Sequence, residues 1–160
     1  MRGTGFVAIA LLAASVGKPA AQEHAGHEHG TPAAADSGTS GRTPLYDNLG
    51  SYHMAITVRS PVAQQYFDQG LRLTYGFNHD EAVKAYTEGI RQDSSCAMCW
   101  WGIAYALGPN INLPMDTAAV KPAWDALQHA VRLAPQASPR EQAYIKALEA
   151  RYAAAPEANR

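Results

Sequence analysis

This chain has little cysteine, almost no net charge and a single long apolar run, and each shortage excludes something. Its only cysteines among 160 residues are Cys96 and Cys99, and two thiols three positions apart cannot staple distant parts of a fold. Thirteen Lys and Arg stand against 14 Asp and Glu, with the basic residues spread along the sequence. A nucleic-acid-binding face would need them clustered. There is no HExxH, no glycine-rich phosphate loop, no GxSxG elbow and no N-glycosylation sequon. No nucleophile, base and orienting acid assemble from local motifs, so an enzyme is not the expected reading. The apolar run, FVAIALLAASV near the amino terminus, is shorter than the roughly 20 residues that span a bilayer.

That run follows Arg2 and leads into small residues at Gly17, Ala20 and Ala21, which is the pattern of a secretory signal. Residues 1–22 are therefore expected to be a signal peptide removed on export. The mature chain would then work in the periplasm or outside the cell, with no membrane span. Residues 23–43 contain EHAGHEHGTPAAADSGTSGR, without one large apolar side chain. Such a segment cannot bury enough surface to offset the entropy of ordering it, so it reads as a flexible leader. Its His24, His27 and His29 can converge on one copper or zinc ion, weakly and only while the imidazoles are neutral. A plain solvated leader is the alternative, since His-rich tracts are compositional evidence only.

From Pro44 the aromatic and aliphatic residues return, and beyond a pre-repeat segment at 44–61 their period is helical. Ser60-Pro61 offers a cap and a first-turn proline, followed by Tyr66, Gln69, Gly70, Leu73 and Phe77 at spacings of three and four. Asn78 and Glu81 suggest a capping box for a second helix striped by Ala82, Val83, Tyr86 and Ile90. Ser94 or Ser95 would cap a third, carrying Trp100, Ile103, Ala104 and Leu107. A fourth covers about Ala118 to Leu133, with Pro122 confined to its first turns or kinking it. Ser138-Pro139-Arg140-Glu141 opens a fifth running through Tyr152. The one strand-like stretch is HMAITV at His53 to Val58, so the expected fold class is all-α.

The stretch CAMCWW at the start of the third helix has three readings. Cys96 and Cys99 are packing thiols, or a local disulfide, or a redox or metal site. A helix amino terminus lowers a thiol's pKa, which suits redox work. Yet the βαβ setting of a redox CxxC is missing, Trp100 stands where attached haem would need histidine, and His53, His79 and His129 are too scattered to complete a zinc site. Packing is the reading preferred on these grounds.

Ala82, Tyr86 and Gly89 follow Gly70 by 12, 16 and 19 residues, and Trp100 follows Tyr66 by 34. Together with Ala104, Ala123, Leu127, Ala130 and Pro135, this spacing resembles the tetratricopeptide repeat. The wording FDQGLRLTYGFNHDEAVKAY and CAMCWWGIAYALGPNINLP is similar to a group of exported bacterial tetratricopeptide proteins. The resemblance implies a right-handed solenoid of helical hairpins over residues 62–155, about two and a half repeats, with GPNINLPMD inserted inside the second. It also implies a concave face for a protein or peptide partner, lined by Gln64, Phe67, Leu71, Thr74, Met98, Trp101 and Tyr105, with Trp100 turned into the hairpin and Trp101 left for the groove. Asn110 and Asn112 in the inserted loop are either ligand-binding amides or turn residues. The expected function is a non-enzymatic binding scaffold. Alternatives are a filament subunit, if the fifth helix leaves an apolar stripe for a second copy to cover, and a metal-handling accessory acting through the leader.

Overall fold

The structure, a computed structural model, describes residues 42–152, so the expected signal peptide, most of the leader and His24, His27 and His29 lie outside the described residues. Five α-helices follow in order, α1 Pro61–Tyr75, α2 His79–Gln92, α3 Ala97–Leu107, α4 Thr117–Leu133 and α5 Pro139–Glu149, with a short 3-10 turn Ala134–Gln136 before the last. No strand occurs among the described residues, and the fold class is all-α. None of these helices is long and apolar enough to cross a membrane.

Local chemistry explains where the helices start. The Ser60 hydroxyl accepts from the Ala63 amide with Pro61 at the first position. Ser138 and Glu141 close a full capping box at α5. Two expected caps are corrected. Asn78 makes no side-chain cap bond, and Glu81 pairs instead with Lys84 at 2.6 Å. The cap of α3 is Cys96, whose sulfur accepts from the Cys99 amide at 3.1 Å, while Ser95 bonds to Asp93. Helix α5 ends at Glu149, short of Tyr152, and Pro122 is accommodated inside α4.

Successive helices pack on one another, and the core of the first three forms around Tyr86, which is wholly buried. Its ring lies against Gly70 of α1 and Gly102 of α3; a Cβ on Gly70 would come within 2.5 Å of Tyr86 Cε1, and one on Gly102 closer still. Both helices approach because those two positions carry no side chain. The Tyr86 hydroxyl meets Thr74 Oγ1 at 3.1 Å, and Thr74 in turn donates to the Gly70 carbonyl.

Cys96 and Cys99 are joined as a disulfide, and both are fully buried. The preferred reading of free packing thiols is corrected to an oxidised pair that still packs, with the Cys99 sulfur seated against Gly89. On α5, Ile145 and Leu148 are buried in the common core, and the large exposed apolar side chain there is Tyr144. The two α5 residues Ile145 and Leu148, which the filament alternative would leave for a second copy to cover, are thus packed within the chain.

Candidate functional site

The face expected to be a groove is closed. Phe67, Leu71 and Met98 are essentially inaccessible, and Thr74 and Trp101 are 7% and 6% exposed. Two parts of the same chain cover it. Helix α5 brings Tyr144 edge-on to Trp101, and the indole N–H donates to the Tyr144 carbonyl at 3.2 Å. Trp100 does turn into the α3–α4 hairpin, half-buried and stacked on His129 of α4 at 4.2 Å, but Trp101, expected to be left open for a groove, is the more deeply buried of the two.

The second cover is the stretch Tyr52 to Arg59; it contains His53 to Val58, read in the sequence as strand-like, and forms no strand. It lies between α1 and α5 and is held along both edges by side chains. Toward α1, the Met54 amide donates to Asp68 at 3.1 Å, and Gln64 both accepts from the Ile56 amide and donates to the Met54 carbonyl at 3.0 Å. Arg72 donates to the Tyr52 carbonyl at 2.7 Å. Toward α5, Arg140 donates to the Ala55 carbonyl, and Glu141 accepts from both the amide and the hydroxyl of Thr57, each at 2.6 Å. Met54, Ile56 and Val58 alternate inward onto the core. Burial alone would raise the Glu141 carboxyl, but the bonds from Ser138 and Thr57 outweigh it and hold it below the usual carboxylate range. A second clasp joins Gln69 to the Tyr46 amide and the Pro44 carbonyl.

A different surface stays open. Where the α1–α2 turn meets the end of α3 and the inserted loop, a hollow of about 480 Å³ is walled by Tyr75, Phe77, Tyr105 and Ile111. Thr74, His79, Pro109, Asn110 and Arg151 complete its lining. Of the expected groove residues only Thr74 and Tyr105 reach it, and of the two loop asparagines only Asn110. Asn110 does serve the turn: its Oδ1 accepts from the amides of Asn112 and Leu113 at 2.9 and 3.0 Å. Tyr75 keeps its proton to higher pH than usual, through burial first and then the nearby phenols of Tyr52, Tyr105 and Tyr144.

Phe77 is the outlier of this rim. It was read as the last core residue of α1, but the helix stops at Tyr75, and Phe77 is 57% exposed with φ at 59°. Its amide bonds to the Thr74 carbonyl and the next amide, of Asn78, to the Leu73 carbonyl. This is the left-handed helix stop at which glycine is usual, yet Gly76 falls one residue too early and a phenylalanine takes the strained position. The resemblance named Thr74 and Tyr105, but no local pattern signals a rim assembled from the α1–α2 turn, the end of α3, the inserted loop and Arg151 after α5. Among the described residues, no group of His, Cys, Asp and Glu is arranged to hold a metal; His53 instead pairs with Asp68 at 2.7 Å. No family model, curated protein or solved structure matches this chain.

Proposed function

We propose that this chain is a non-enzymatic scaffold that holds extended polypeptide between α1 and α5, working in the cell envelope or outside the cell. The observation that carries the reading is the clamp on Tyr52 to Arg59. Gln64, Asp68, Arg72, Arg140 and Glu141 bond mainly to backbone groups of an extended segment, which is how a surface recognises a peptide largely irrespective of its side chains. The chain's own segment fills that place, tethered at an effective concentration on the order of millimolar. A partner therefore acts by exchanging with it. The reading as tetratricopeptide-like hairpins draws on the residue spacing and on the close passage of α1 and α3 over Tyr86 at Gly70 and Gly102. The signal-like amino terminus supports an exported location.

A labelled peptide of sequence SYHMAITVRS, residues 51–60, tests the clamp. It should bind saturably to an Ile56→Asp/Val58→Asp variant whose own segment is loosened, and Gln64→Ala added to that variant should abolish the binding. A helical, monodisperse variant that takes up no such peptide would refute the scaffold reading.

A further inference from the structure

The walls of the hollow are largely aromatic and aliphatic, and beside the hydroxyls of Thr74, Tyr75 and Tyr105 and the imidazole of His79, its edge carries two strong donors in Asn110 and Arg151. Asn110 has Oδ1 committed to the loop amides, so what it can present to a ligand is the two Nδ2 hydrogens. Arg151 uses one guanidinium nitrogen on the Pro109 carbonyl at 3.2 Å and keeps further N–H groups. Pro109 has no amide hydrogen, and its carbonyl is already occupied by that bond. Among the described residues, no carboxylate lines the hollow, and Arg151 is its permanently ionised group. The strained, exposed Phe77 ring stands at the mouth, and backbone strain of this kind concentrates where a protein binds something.

We infer that the hollow is a binding site for a small apolar carboxylic acid, with an aromatic or branched aliphatic body among Tyr75, Phe77, Tyr105 and Ile111 and its carboxylate against Arg151 and Asn110. A volume of about 480 Å³ lies within the range of about 300–1,000 Å³ typical of small-molecule sites. This site is separate from the clamp and stands or falls without it.

The test titrates the full chain with 3-phenylpropionate and with its uncharged analogue 3-phenylpropanamide, by calorimetry and by tryptophan emission. Trp101 reports because its ring stacks on Tyr105 at 4.9 Å. The acid should bind at least tenfold more tightly than the amide. Asn110→Asp retains an oxygen for both loop amides but puts a negative charge where the ligand's would lie, so it should abolish acid binding without altering helicity. Arg151→Gln should cost at least tenfold, with Arg151→Lys keeping part of the affinity. Equal binding of acid and amide, unchanged affinity in Asn110→Asp, or no saturable binding at millimolar acid would each overturn the proposal. A tetrapeptide ending in phenylalanine with a free carboxylate, if it bound tenfold better than the acid, would assign the site to a polypeptide end and overturn it as well.

Discussion

Replacing Phe77 separates strain from packing, because glycine and alanine remove the same ring but only glycine suits the backbone. A residue with a Cβ in the left-handed region costs about 1–2 kcal/mol, which alanine retains and glycine sheds. Glycine's greater freedom in the unfolded chain gives back about 0.4–1 kcal/mol. Phe77→Gly should therefore be more stable than Phe77→Ala by about 1 kcal/mol, which for a domain of about 100 residues is a melting temperature higher by about 4 °C or more. The ring is 57% exposed and its aromatic neighbour His79 lies 6.0 Å away, so its loss in either variant should cost no more than about 1 kcal/mol. Thermal melts followed by circular dichroism give the ordering: wild type and Phe77→Gly close together, Phe77→Ala below both. Phenylpropionate affinity should fall in both variants. If glycine and alanine melted within a degree of each other and both far below wild type, the ring would be a packing element, and the argument from strain would fail.

Three other outcomes follow from the core and its charges. Gly102→Ala drives a methyl into the Tyr86 ring and should cost about 1–3 kcal/mol in denaturant titration; a cost under about 0.5 kcal/mol would mean α3 can shift away freely. The buried Cys96–Cys99 disulfide should resist mild reductant in the native chain and yield only on unfolding, and Cys96→Ser/Cys99→Ser should lose about 2 kcal/mol for so short a loop. Rapid loss of the disulfide in native buffer, read by thiol labelling, would show that the pair is accessible. At Asp93, burial alone would raise the pKa, but bonds from Ser95 and the Arg59 amide overcome it and hold it at about 2 against 3.8 for a free carboxyl. A depressed carboxylate stabilises the fold above its unfolded pKa, so about 2 kcal/mol should be present near neutrality and lost as pH falls from about 4 to 2. Asp93→Asn should flatten that part of the stability profile, and an unchanged acid limb would contradict the assignment.

The helices were legible for a local reason. Ser60-Pro61 and Ser138-Pro139-Arg140-Glu141 act within one turn, so their effect does not wait for the rest of the molecule. Asn78 and Ser95 have the right chemistry for caps, but Asn78 makes no cap bond, and Ser95 bonds two residues back to Asp93, whose carboxylate also anchors Arg59, while Cys96 serves as the cap. The groove was misplaced for a related reason. The resemblance put Phe67, Leu71, Met98 and Trp101 on one face, but a face is a groove only if nothing lies on it, and here Tyr52 to Arg59 and α5 do. The alternation of Met54, Ile56 and Val58 was the available hint, since period-two apolar residues mark an extended segment with one side packed.

Taken by itself, the amino-acid sequence determined the all-α class, the start of α1 and the capping box of α5, because caps and the 3.6-residue period depend on neighbours within a few positions. It also set the small residues at Gly70 and Gly102 through which the helices approach one another. Only the tertiary structure decided which apolar faces are sealed, that two thiols meet as a buried disulfide, and that Phe77 stands strained and exposed at the mouth of a hollow. The burial of each depends on which distant segment docks where, and the free energy of docking is shared among residues as far apart as Thr57 and Glu141, which no local pattern records.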